Sequence, residues 1–406
     1  MKLIERHTIK KSNPLYNDID RLCFLSKNVF NSTLYVIKQA FINKEPILKY
    51  VELDRLWRKG NADYKALPYT QCSQQTMRCV YSLLKSFFGQ IKSNKVSHHI
   101  NLPRYKDSIK GRYACIFTTQ CISVKDGRIR IKINREGNKY LYIKTDKTNI
   151  RQVTIYPLSN SYAVDVIYEV ADVEKKHDNN RYAAIDLGIN NFMTVTSNVA
   201  QATIFDGRKL KSINQYYNKR CASLQSKLTG RQRTSARIRR ITSRRNNKVK
   251  DCLHKMSKSV VDYLISNDIS YIIIGKNDKW KDNCNLGHKT NQTFIMLPHS
   301  VLIQMIKYKC ERAGINVVLV NEAYTSKCSF IDNETVCRHD VYAGKRVHRG
   351  LFRTKGGHLI NADVNGSYNI MRIGLKKLKC KSPKCNCDAL VPADKRFLYN
   401  PVRLVV

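Results

Sequence analysis

The sequence predicts an α/β protein in two parts: an N-terminal β domain interrupted by helices, and a C-terminal domain with a partly parallel sheet. Two observations predict this. Apolar residues recur at helical spacing within 11–97 and at every second position on either side of that segment. After a polar linker at 175–180, strands alternate with helices, which is typical of a sheet with parallel members. A chain of 406 residues that is 42% hydrophobic is long enough for roughly two to three domains.

The N-terminal part begins with a short alternating strand at 1–10, and its β pattern resumes at 98–178. An Asp126-Gly127 pair between alternating apolar residues predicts a hairpin turn there. The segment 11–97 is predicted to be a helical lobe inserted into this β domain. Its two amphipathic helices carry Ile19, Leu22, Cys23, Val29, Phe30, Leu34 and Ile37 in the first, and Thr76, Val80, Leu84, Phe87 and Phe88 in the second.

The C-terminal α/β domain is predicted to occupy 179–374, with a basic helical insertion at 207–258 and a basic, cysteine-containing tail at 375–406. A helix that starts at Val301 is expected to stop before Gly314, since glycine favours helix ends. Strands are predicted at 182–187, 192–196, 271–274 and 315–320.

The charge of the chain indicates a polyanionic partner. Its 73 Lys and Arg residues against 31 Asp and Glu residues give a net charge of +42, which repels itself unless a polyanion neutralises it. Nucleic acid is therefore the first partner to expect. No run of about 18 apolar residues and no signal-peptide core occurs, so we expect a cytoplasmic protein that does not associate with membranes. The 14 cysteines are scattered, and we expect reduced thiols.

The helical insertion is the most biased segment. Between Gly207 and Lys250 there are 15 Lys or Arg residues and no acidic residue. A solvated helix face usually mixes both signs in i,i+4 pairs, so this segment favours contact with the phosphate backbone of a nucleic acid over a bare solvated face. The residues predicted to make this contact are Arg231, Arg233, Arg237, Arg239, Arg240, Arg244 and Arg245.

Two acidic residues lie in apolar segments of this basic chain. Asp186 follows the apolar run 183–185 at the carboxyl end of a predicted strand, where open α/β sheets place ligands. An Asp in that position is also a common turn cap. Asp363 lies within the segment 361–370. Hard divalent cations bridge carboxylates and phosphates, so these acids predict a magnesium site.

Four ordered blocks resemble the TnpB (OrfB) proteins of small bacterial insertion sequences, which are relatives of the type V CRISPR effector nucleases. The blocks are Ile-Asp-Leu-Gly-Ile-Asn-Asn at 185–191, the arginine-rich insertion, Tyr-Thr-Ser-Lys-Cys-Ser at 324–329, and Asn-Ala-Asp-Val-Asn-Gly-Ser-Tyr-Asn-Ile at 361–370. The resemblance covers nearly the whole chain, including Leu-Pro-Arg-Tyr-Lys at 102–106. Its specificity lies in the order and spacing of the blocks.

This resemblance implies an RNA-guided DNA endonuclease. The C-terminal domain would be an RNase H-like RuvC nuclease, the β domain a wedge-type barrel, and the helical lobe a recognition lobe. A guide RNA from the transposon end would pair with double-stranded target DNA beside a short flanking motif, and a transposase would be functionally linked. Such a protein holds an RNA–DNA heteroduplex by its backbone, which fits the positive charge. Arg104 and Lys106 in the shared motif are expected to contact nucleic acid.

Asp186 matches the first catalytic residue of the family and Asp363 the last, with two Mg²⁺ ions between the carboxylates. The middle residue of the family, a glutamate at the end of the strand 272–274, is replaced by Gly275. We predict that Glu322 takes its place, because it follows the strand that should lie parallel to this one about 4.8 Å away. Two alternatives stay open at this point: Asp278 or Asp282 supplies the acid, or the site is inactive.

Gly275 is one departure from the family pattern, and a second departure concerns the zinc-binding cysteines. The family usually carries two C-x-x-C pairs before its last Asp, a strong signal for a tetrahedral thiolate site. Here Cys328 has Ile331 in the partner position. An irregular site of Cys337, His339 and His348 is the alternative, but a loop without metal is predicted, and zinc is not expected. The tail cysteines without a clear fourth ligand are Cys380, Cys385 and Cys387.

Other function classes are less well supported. The chain lacks a Walker loop, a G-x-S-x-G elbow and an H-E-x-x-H helix, which argues against nucleotide-driven motors and serine hydrolases. A strand transferase with a nucleophilic tyrosine would need a His-x-His metal pair, which the sequence also lacks. The main alternative is a nuclease-inactive, RNA-guided DNA-binding repressor of the same family.

Overall fold

The computed structural model describes residues 1–93, 100–230, 232–277, 287, 291–292, 295–348, 350–379 and 396–405. The chain divides into two compact units, Met1–Ala171 and Asp172–Val406. The division falls just before the polar linker at 175–180, a little ahead of the predicted start of the α/β domain at 179. The finer domain boundaries stay predictions.

Seven strands build the sheets of the first unit. They are β1 (Lys2–Lys10), β2 (Cys115–Thr118), β3 (Ser123–Lys125), β4 (Arg128–Lys132), β5 (Tyr140–Lys144), β6 (Ile150–Pro157) and β7 (Ser161–Glu169). The order β1-β7-β6-β2 forms one antiparallel sheet and β3-β4-β5 another. Both sheets contribute to one core, in which Ile129, Leu141, Val153 and Val164 are at most 5% exposed. The described strands are thus hydrogen-bonded as two sheets, and the closed barrel that the resemblance implies is not confirmed.

The predicted hairpin turn lies between β3 and β4. Asp126 and Gly127 both have positive φ angles, 50° and 66°. Two successive positive φ angles are the mark of the type I′ turn, whose twist matches that of the flanking strands. Glycine adopts this conformation without steric cost and Asp tolerates it, which is why this pair of residues forms the turn.

The helices of the first unit lie within the segment 11–97, as its apolar spacing predicts. They are α1 (Tyr16–Ile42), α2 (Tyr50–Gly60), α3 (Ala62–Ala66) and α4 (Thr70–Lys92), and a 3₁₀ turn follows at Thr119–Cys121. Helices α1 and α4 pack against each other through the buried side chains of Phe30, Leu34, Val80 and Leu84. These residues belong to the predicted amphipathic faces.

The described residues of the second unit include nine strands. They are β8 (Tyr182–Leu187), β9 (Asn191–Ser197), β10 (Thr203–Asp206), β11 (Tyr271–Gly275), β12 (Asn316–Val320), β13 (Lys345–His348), β14 (Leu351–Arg353), β15 (Leu359–Asn361) and β16 (Val402–Leu404). A central six-stranded sheet has the order β12-β11-β8-β9-β10-β16, and β13-β14-β15 form a small sheet. Strands β8, β11 and β12 run parallel, whereas β9 is antiparallel to β8 and β10. The predicted partly parallel sheet is therefore present.

Helices cover both faces of the central sheet. They are α5 (Arg208–Gln225), α6 (Ala236–Ser266), α7 (His299–Arg312), α8 (Ala362–Lys379) and α9 (Arg396–Tyr399). On β8, Ile185 shares a core with α6 and α7, whereas Ala184 shares a core with α8. Because side chains alternate along a strand, Asp186 lies on the α8 side of the sheet. In the described part of the chain, no helix has both the length and the apolar character needed to cross a bilayer.

The last strand differs from the prediction for 375–406. That segment was expected to be a tail outside the α/β domain, but β16 pairs in parallel with β10, with Thr203 opposite Val402. Helix α8 also runs past the predicted boundary at 374. A strand of three residues has no readable period, and the free edge of β10 is what gives it a place.

Candidate active site

Two predicted acids lie at the same edge of the central sheet. Asp186 is the last residue but one of β8, and Glu322 lies two residues after the end of β12. Strand β11 lies between β8 and β12 and is parallel to both, with Gly275 paired to Val320. Parallel strands bring their carboxyl ends to one edge, so the two carboxylates emerge there.

The glycine at the end of β11 makes room for Glu322. A Cβ atom at Gly275 would lie 2.5 Å from Oε2 and 3.2 Å from Cβ of Glu322, and 2.6 Å from Cδ1 of Ile370. Any residue other than glycine would push the glutamate or the helix away. Glu322 therefore fills the space that the missing glutamate leaves, as the sequence predicts, while its catalytic role stays a prediction.

Asp363 is placed by the first turn of α8. The side chain of Asn361 caps the helix, because its Oδ1 accepts hydrogen bonds from the backbone N–H groups of Asp363 at 3.0 Å and Val364 at 3.2 Å. One turn further, a Cβ atom at Gly366 would lie 3.0 Å from Oδ2 of Asp186. A glycine there lets the helix approach the carboxylate that ends β8.

Two buried asparagines of α8 fix the loop after Glu322. Asn365 accepts from the N–H of Phe330 at 2.9 Å and donates to the carbonyl of Cys328 at 2.8 Å. Asn369 donates to the carbonyls of Thr325 and Cys328 at 2.9 and 2.7 Å. The spacing of four residues puts both amides on one helix face. The third and fourth sequence blocks of the resemblance are therefore hydrogen-bonded to each other.

The carboxylates at this edge are held in an unfavourable electrostatic environment. Burial, followed by the negative charges of Asp363 and Glu322, raises the pKa of Asp186 well above its usual value, and Arg346 opposes this shift. Burial raises the pKa of Glu322 to about 7. Within the described residues, Oε2 of Glu322 is buried without a hydrogen-bond partner, while Oε1 accepts from Asn277 at 3.3 Å. A cation between these groups would relieve both effects.

Asp363 has polar partners of its own. Nδ2 of Asn191 donates to Oδ2 at 2.5 Å, and the guanidinium of Arg346 lies 3.4 Å from Oδ1. A cavity of about 1150 Å³ opens beside this carboxylate, and its lining includes the cationic side chains Arg208, Lys211, Arg346 and Arg403. Such a cavity suits a negatively charged chain beside Asp363.

The donor set fits a hard divalent cation by its chemistry. Magnesium prefers carboxylate oxygens, and three carboxylates at one edge offer them. Within the described ranges, however, no three His, Cys, Asp or Glu side chains are close enough together to hold a metal ion as they stand. Asp186, Glu322 and Asp363 would have to draw together on binding, against a repulsion that the cation itself removes. The two-ion site predicted from the sequence therefore stays a prediction.

The alternatives to these assignments are only partly placed. Asp278 and Asp282 lie outside the described residues, as do the tail cysteines Cys380, Cys385 and Cys387. Near the missing zinc pair, Sγ of Cys337 lies 3.3 Å from Nε2 of His339, and buried Cys328 donates to the carbonyl of Cys337.

The basic helical insertion has two kinds of arginine. In its described part, the predicted phosphate-binding residues are exposed except Arg245; those exposed are Arg233, Arg237, Arg239, Arg240 and Arg244. Arg245 differs because it donates to Oδ1 of Asn214 at 2.8 Å and to the carbonyl of Met296 at 3.2 Å, and burial lowers its pKa. These bonds tie Arg245 to the protein and argue against its predicted phosphate contact. Arg231 lies outside the described residues.

The opposite end of α6 has a different charge pattern. Its C-terminal half carries the i,i+4 ion pairs Asp251–Lys255 and Lys258–Asp262, each at 2.8 Å. Such mixed-sign pairs are typical of a solvated face. The exposed arginines named above lie in the N-terminal half of α6 and in the segment before it.

The shared motif at 102–106 lies in the first unit. Arg104 and Lys106 are exposed there. Asn31 of α1 fixes the segment, since its side chain bonds both the N–H and the carbonyl of Lys106, at 2.9 and 2.8 Å. The Lys106 ammonium lies over the ring of Phe30, 5.3 Å from its centre. Both predicted cations are therefore accessible to a ligand.

Comparisons with known proteins agree with this architecture. The family model OrfB_IS605, described as a probable transposase, matches residues 165–281, and the Cas12f1-like TNB domain model matches 299–370. These two segments contain Asp186, Glu322 and Asp363. The chain is similar to the TnpB (OrfB) proteins.

Individual relatives extend this similarity. The TnpB-like protein ORF457 of Acidianus two-tailed virus is 27% identical over 412 residues, covering 89% of this chain and 85% of the relative. The CRISPR-associated endodeoxyribonuclease Cas12f1 of Sulfoacidibacillus thermotolerans is 28% identical over 133 residues, or 32% of this TnpB-like chain and 28% of the relative. A cryo-EM structure of the Cas12f1–sgRNA–target DNA complex has the same fold, with a TM-score of 0.60, 14% identity and coverage of 88% of this chain and 82% of that one.

Sequence reasoning missed three residues of the site. Asn191 stands in the first block of the TnpB resemblance, so its closeness to Asp186 in sequence was a usable signal. Arg346 and Arg403 carry no such signal. Each is one of many basic residues, and only the tertiary structure brings Arg346 to Asp363 and Arg403 to Asn191.

Proposed function

We propose that this TnpB-like protein is an RNA-guided DNA endonuclease that cuts target DNA beside a short flanking motif, with Asp186, Glu322 and Asp363 as its catalytic carboxylates. The observation that carries the proposal is the position of Glu322. Half-buried Glu322, with one buried oxygen that has no partner among the described residues, fills the space beside Gly275. Burial, followed by the negative charges of Asp363 and Glu322, raises the pKa of Asp186. Buried charges of one sign are costly unless a ligand compensates them.

The three carboxylates would hold two Mg²⁺ ions. When bound, such ions lower the pKa of a water molecule and stabilise the leaving oxygen of a phosphodiester. The residues of the chain do the rest. Asp186 and Glu322 supply oxygens from the sheet edge, Asp363 supplies one from α8, and the cationic lining of the cavity beside it binds the strand to be cut.

We further propose a guide RNA from the transposon end and double-stranded target DNA as partners, with a functional link to a transposase. The net charge of +42 and the exposed arginines before and in α6 support a polyanionic ligand. In this proposal the β sheets of the first unit act as the wedge, α1 to α4 as the recognition lobe, and Arg104 and Lys106 contact nucleic acid. Work on DNA would place the protein in the cytoplasm, at the nucleoid.

The test is cleavage by the purified ribonucleoprotein. The copurified RNA is sequenced to define a matched plasmid, which is then incubated with the complex and Mg²⁺. We expect cleavage by the wild type, and its loss with retained DNA binding in Asp186→Ala and Glu322→Ala. Asp278→Ala and Asp282→Ala serve as matched controls and should cut normally.

Two results would contradict the proposal. Binding without cleavage in the wild type would indicate the repressor of the same family. Normal cleavage by Glu322→Ala together with loss in Asp278→Ala or Asp282→Ala would show that the displaced acid lies elsewhere.

A further inference from the structure

A chain of hydrogen bonds connects the last strand of the central sheet to the carboxylate of Asp363. Nη1 of Arg403, on β16, donates to Oδ1 of Asn191 at 3.1 Å and lies 3.3 Å from Oδ2 of Asp206. Nδ2 of Asn191 in turn donates to Oδ2 of Asp363 at 2.5 Å. Four residues from β10, β16, β9 and α8 thus form one path.

Strand pairing decides where Arg403 lies. It is opposite Ile204 in the parallel pairing of β10 and β16, two residues before Asp206. Residues two apart lie on the same face of a sheet, so the guanidinium meets the Asp206 carboxylate on that face. The pairing is anchored by the N–H of Val402, which donates to the carbonyl of Ala202 at 2.8 Å.

The chemistry of the guanidinium fixes the orientation of the Asn191 amide. A guanidinium can only donate, so the amide must turn its oxygen toward Arg403 and its NH₂ group toward Asp363. Ionised Asp363 can only accept, so it selects the same orientation, and without Arg403 the amide oxygen loses the donor that holds the amide in place. The other carboxylate oxygen of Asp363, Oδ1, has Arg346 as its partner, 3.4 Å away.

We propose that Arg403 is a positioning residue, which holds the Asp363 carboxylate through the Asn191 amide in the orientation needed for cation binding. The inference rests on the proposed function, since it assumes that Asp363 binds the cation. Strand β16 would then contribute a residue to the site in addition to completing the edge of the sheet.

Charge and positioning predict opposite effects of removing Arg403. Its positive charge lines the same cavity as Asp363, so by Coulomb's law alone Arg403→Ala should bind a divalent cation more tightly. Loss of a hydrogen bond that orients a ligand group weakens metal binding by about 10- to 100-fold. The sign of the change therefore separates the two roles.

The experiment is a calorimetric titration of the full chain with Mn²⁺. We expect about 10-fold weaker binding for Arg403→Ala and for Asn191→Ala, and no further loss in the double variant, because both act through one path. Arg403→Lys keeps one donor and should recover part of the affinity. Arg181→Ala is the control: Arg181 belongs to the same unit, donates to the carbonyl of Asn267 at 3.3 Å and lies outside the lining of the cavity, so the Mn²⁺ affinity of this variant should stay within about twofold of the wild type.

Thermal melting of each variant separates folding from positioning. Unchanged or tighter Mn²⁺ binding by folded Arg403→Ala would overturn the inference, as would full additivity with Asn191→Ala. If Arg403→Ala does not fold, the comparison of Arg403→Lys with the wild type decides, and equal affinity would count against the inference. A wild type that neither binds Mn²⁺ nor cuts DNA would instead contradict the proposed function.

Discussion

Two acids that follow strands of the same sheet have opposite surroundings. Asp206, at the end of β10, is 4% exposed and pairs with Arg208 at 2.5 Å and Arg403 at 3.3 Å. Its hydrogen bond to Arg208 is the largest cause of its lowered pKa. Glu322, after β12, has a buried oxygen without a partner in the described residues, and burial raises its pKa to about 7.

The difference teaches how to recognise a functional carboxylate in a basic protein. Where arginines of the chain form ion pairs with a buried acid, they compensate its charge, and the acid stabilises the fold. Where the chain supplies none in spite of 73 Lys and Arg residues, the missing charge is expected to come from a ligand. By this criterion Asp206 is structural, whereas Glu322 is a candidate for the active site, as proposed above.

The largest expected effect is on cleavage. Asp186→Asn should reduce the single-turnover rate by at least about 1000-fold, because it removes a charged metal ligand. Asp206→Asn should reduce it by less than about 10-fold, since Asp206 acts only through Arg403. Equal losses in the two variants, measured with matched DNA binding, would abolish the distinction between the two acids.

The second prediction moves the displaced acid back. Glu322→Ala should abolish cleavage, and Gly275→Glu added to it should restore part of the rate, about 10-fold or more. Removing the Glu322 side chain frees the space in which a Cβ at 275 would collide. Gly275→Glu alone is the control and should be less active than wild type, because both side chains compete for one space. If the double variant cleaves no faster than Glu322→Ala, a glutamate at the end of β11 cannot replace the one that follows β12.

The third prediction concerns stability without metal. The folded-state pKa of Glu322 is about 7 against an ordinary 4.5, so the folded state holds more protons between these values and stability falls as pH rises through them. Glu322→Gln removes this cost and should raise the free energy of unfolding at pH 8 by on the order of 2 kcal/mol. Melting of the metal-free wild type and variant at pH 5 and pH 8 measures this difference in stability. At pH 5 we expect the variant to be little more stable than the wild type.

Asp206→Asn should have the opposite sign. A lowered pKa gives stability that is present above the ordinary pKa and lost as pH falls through the folded-state value. The variant should be less stable than wild type by about 1 kcal/mol at pH 7, with the difference shrinking in acid. A stabilising effect of Asp206→Asn at pH 7 would contradict the comparison.

The smallest effect extends the contrast to the cations of α6. Arg244 is exposed, whereas Arg245 is bonded to Asn214 and Met296. Arg244→Gln should lower the slope of log affinity against log salt by about one, measured by titration with nucleic acid. Arg245→Gln should leave that slope unchanged and lower the melting temperature. The reverse result would place Arg245 on the phosphate backbone.

Much of the fold could be predicted because its signals are local. The Asp126-Gly127 turn and the helix faces of α1 and α4 follow from spacing and turn chemistry. Glu322 could be assigned because parallel strands share an edge and a glycine leaves a gap. The role of β16 could not, because a strand of three residues has no period and owes its place to a free edge.

By itself the sequence determined the positive charge, the parallel core and the three acids, because charge, hydrophobic period and strand ends are properties of short stretches of chain. Tertiary structure alone decided that Asn191 and Arg346 meet at Asp363 and that Arg403 bonds Asn191. Their contacts join residues up to 212 positions apart, and a basic or amide side chain in a chain with many such residues carries no mark of its partner. Strands that pair can be far apart in the sequence, so the neighbours of each carboxylate depend on the tertiary structure.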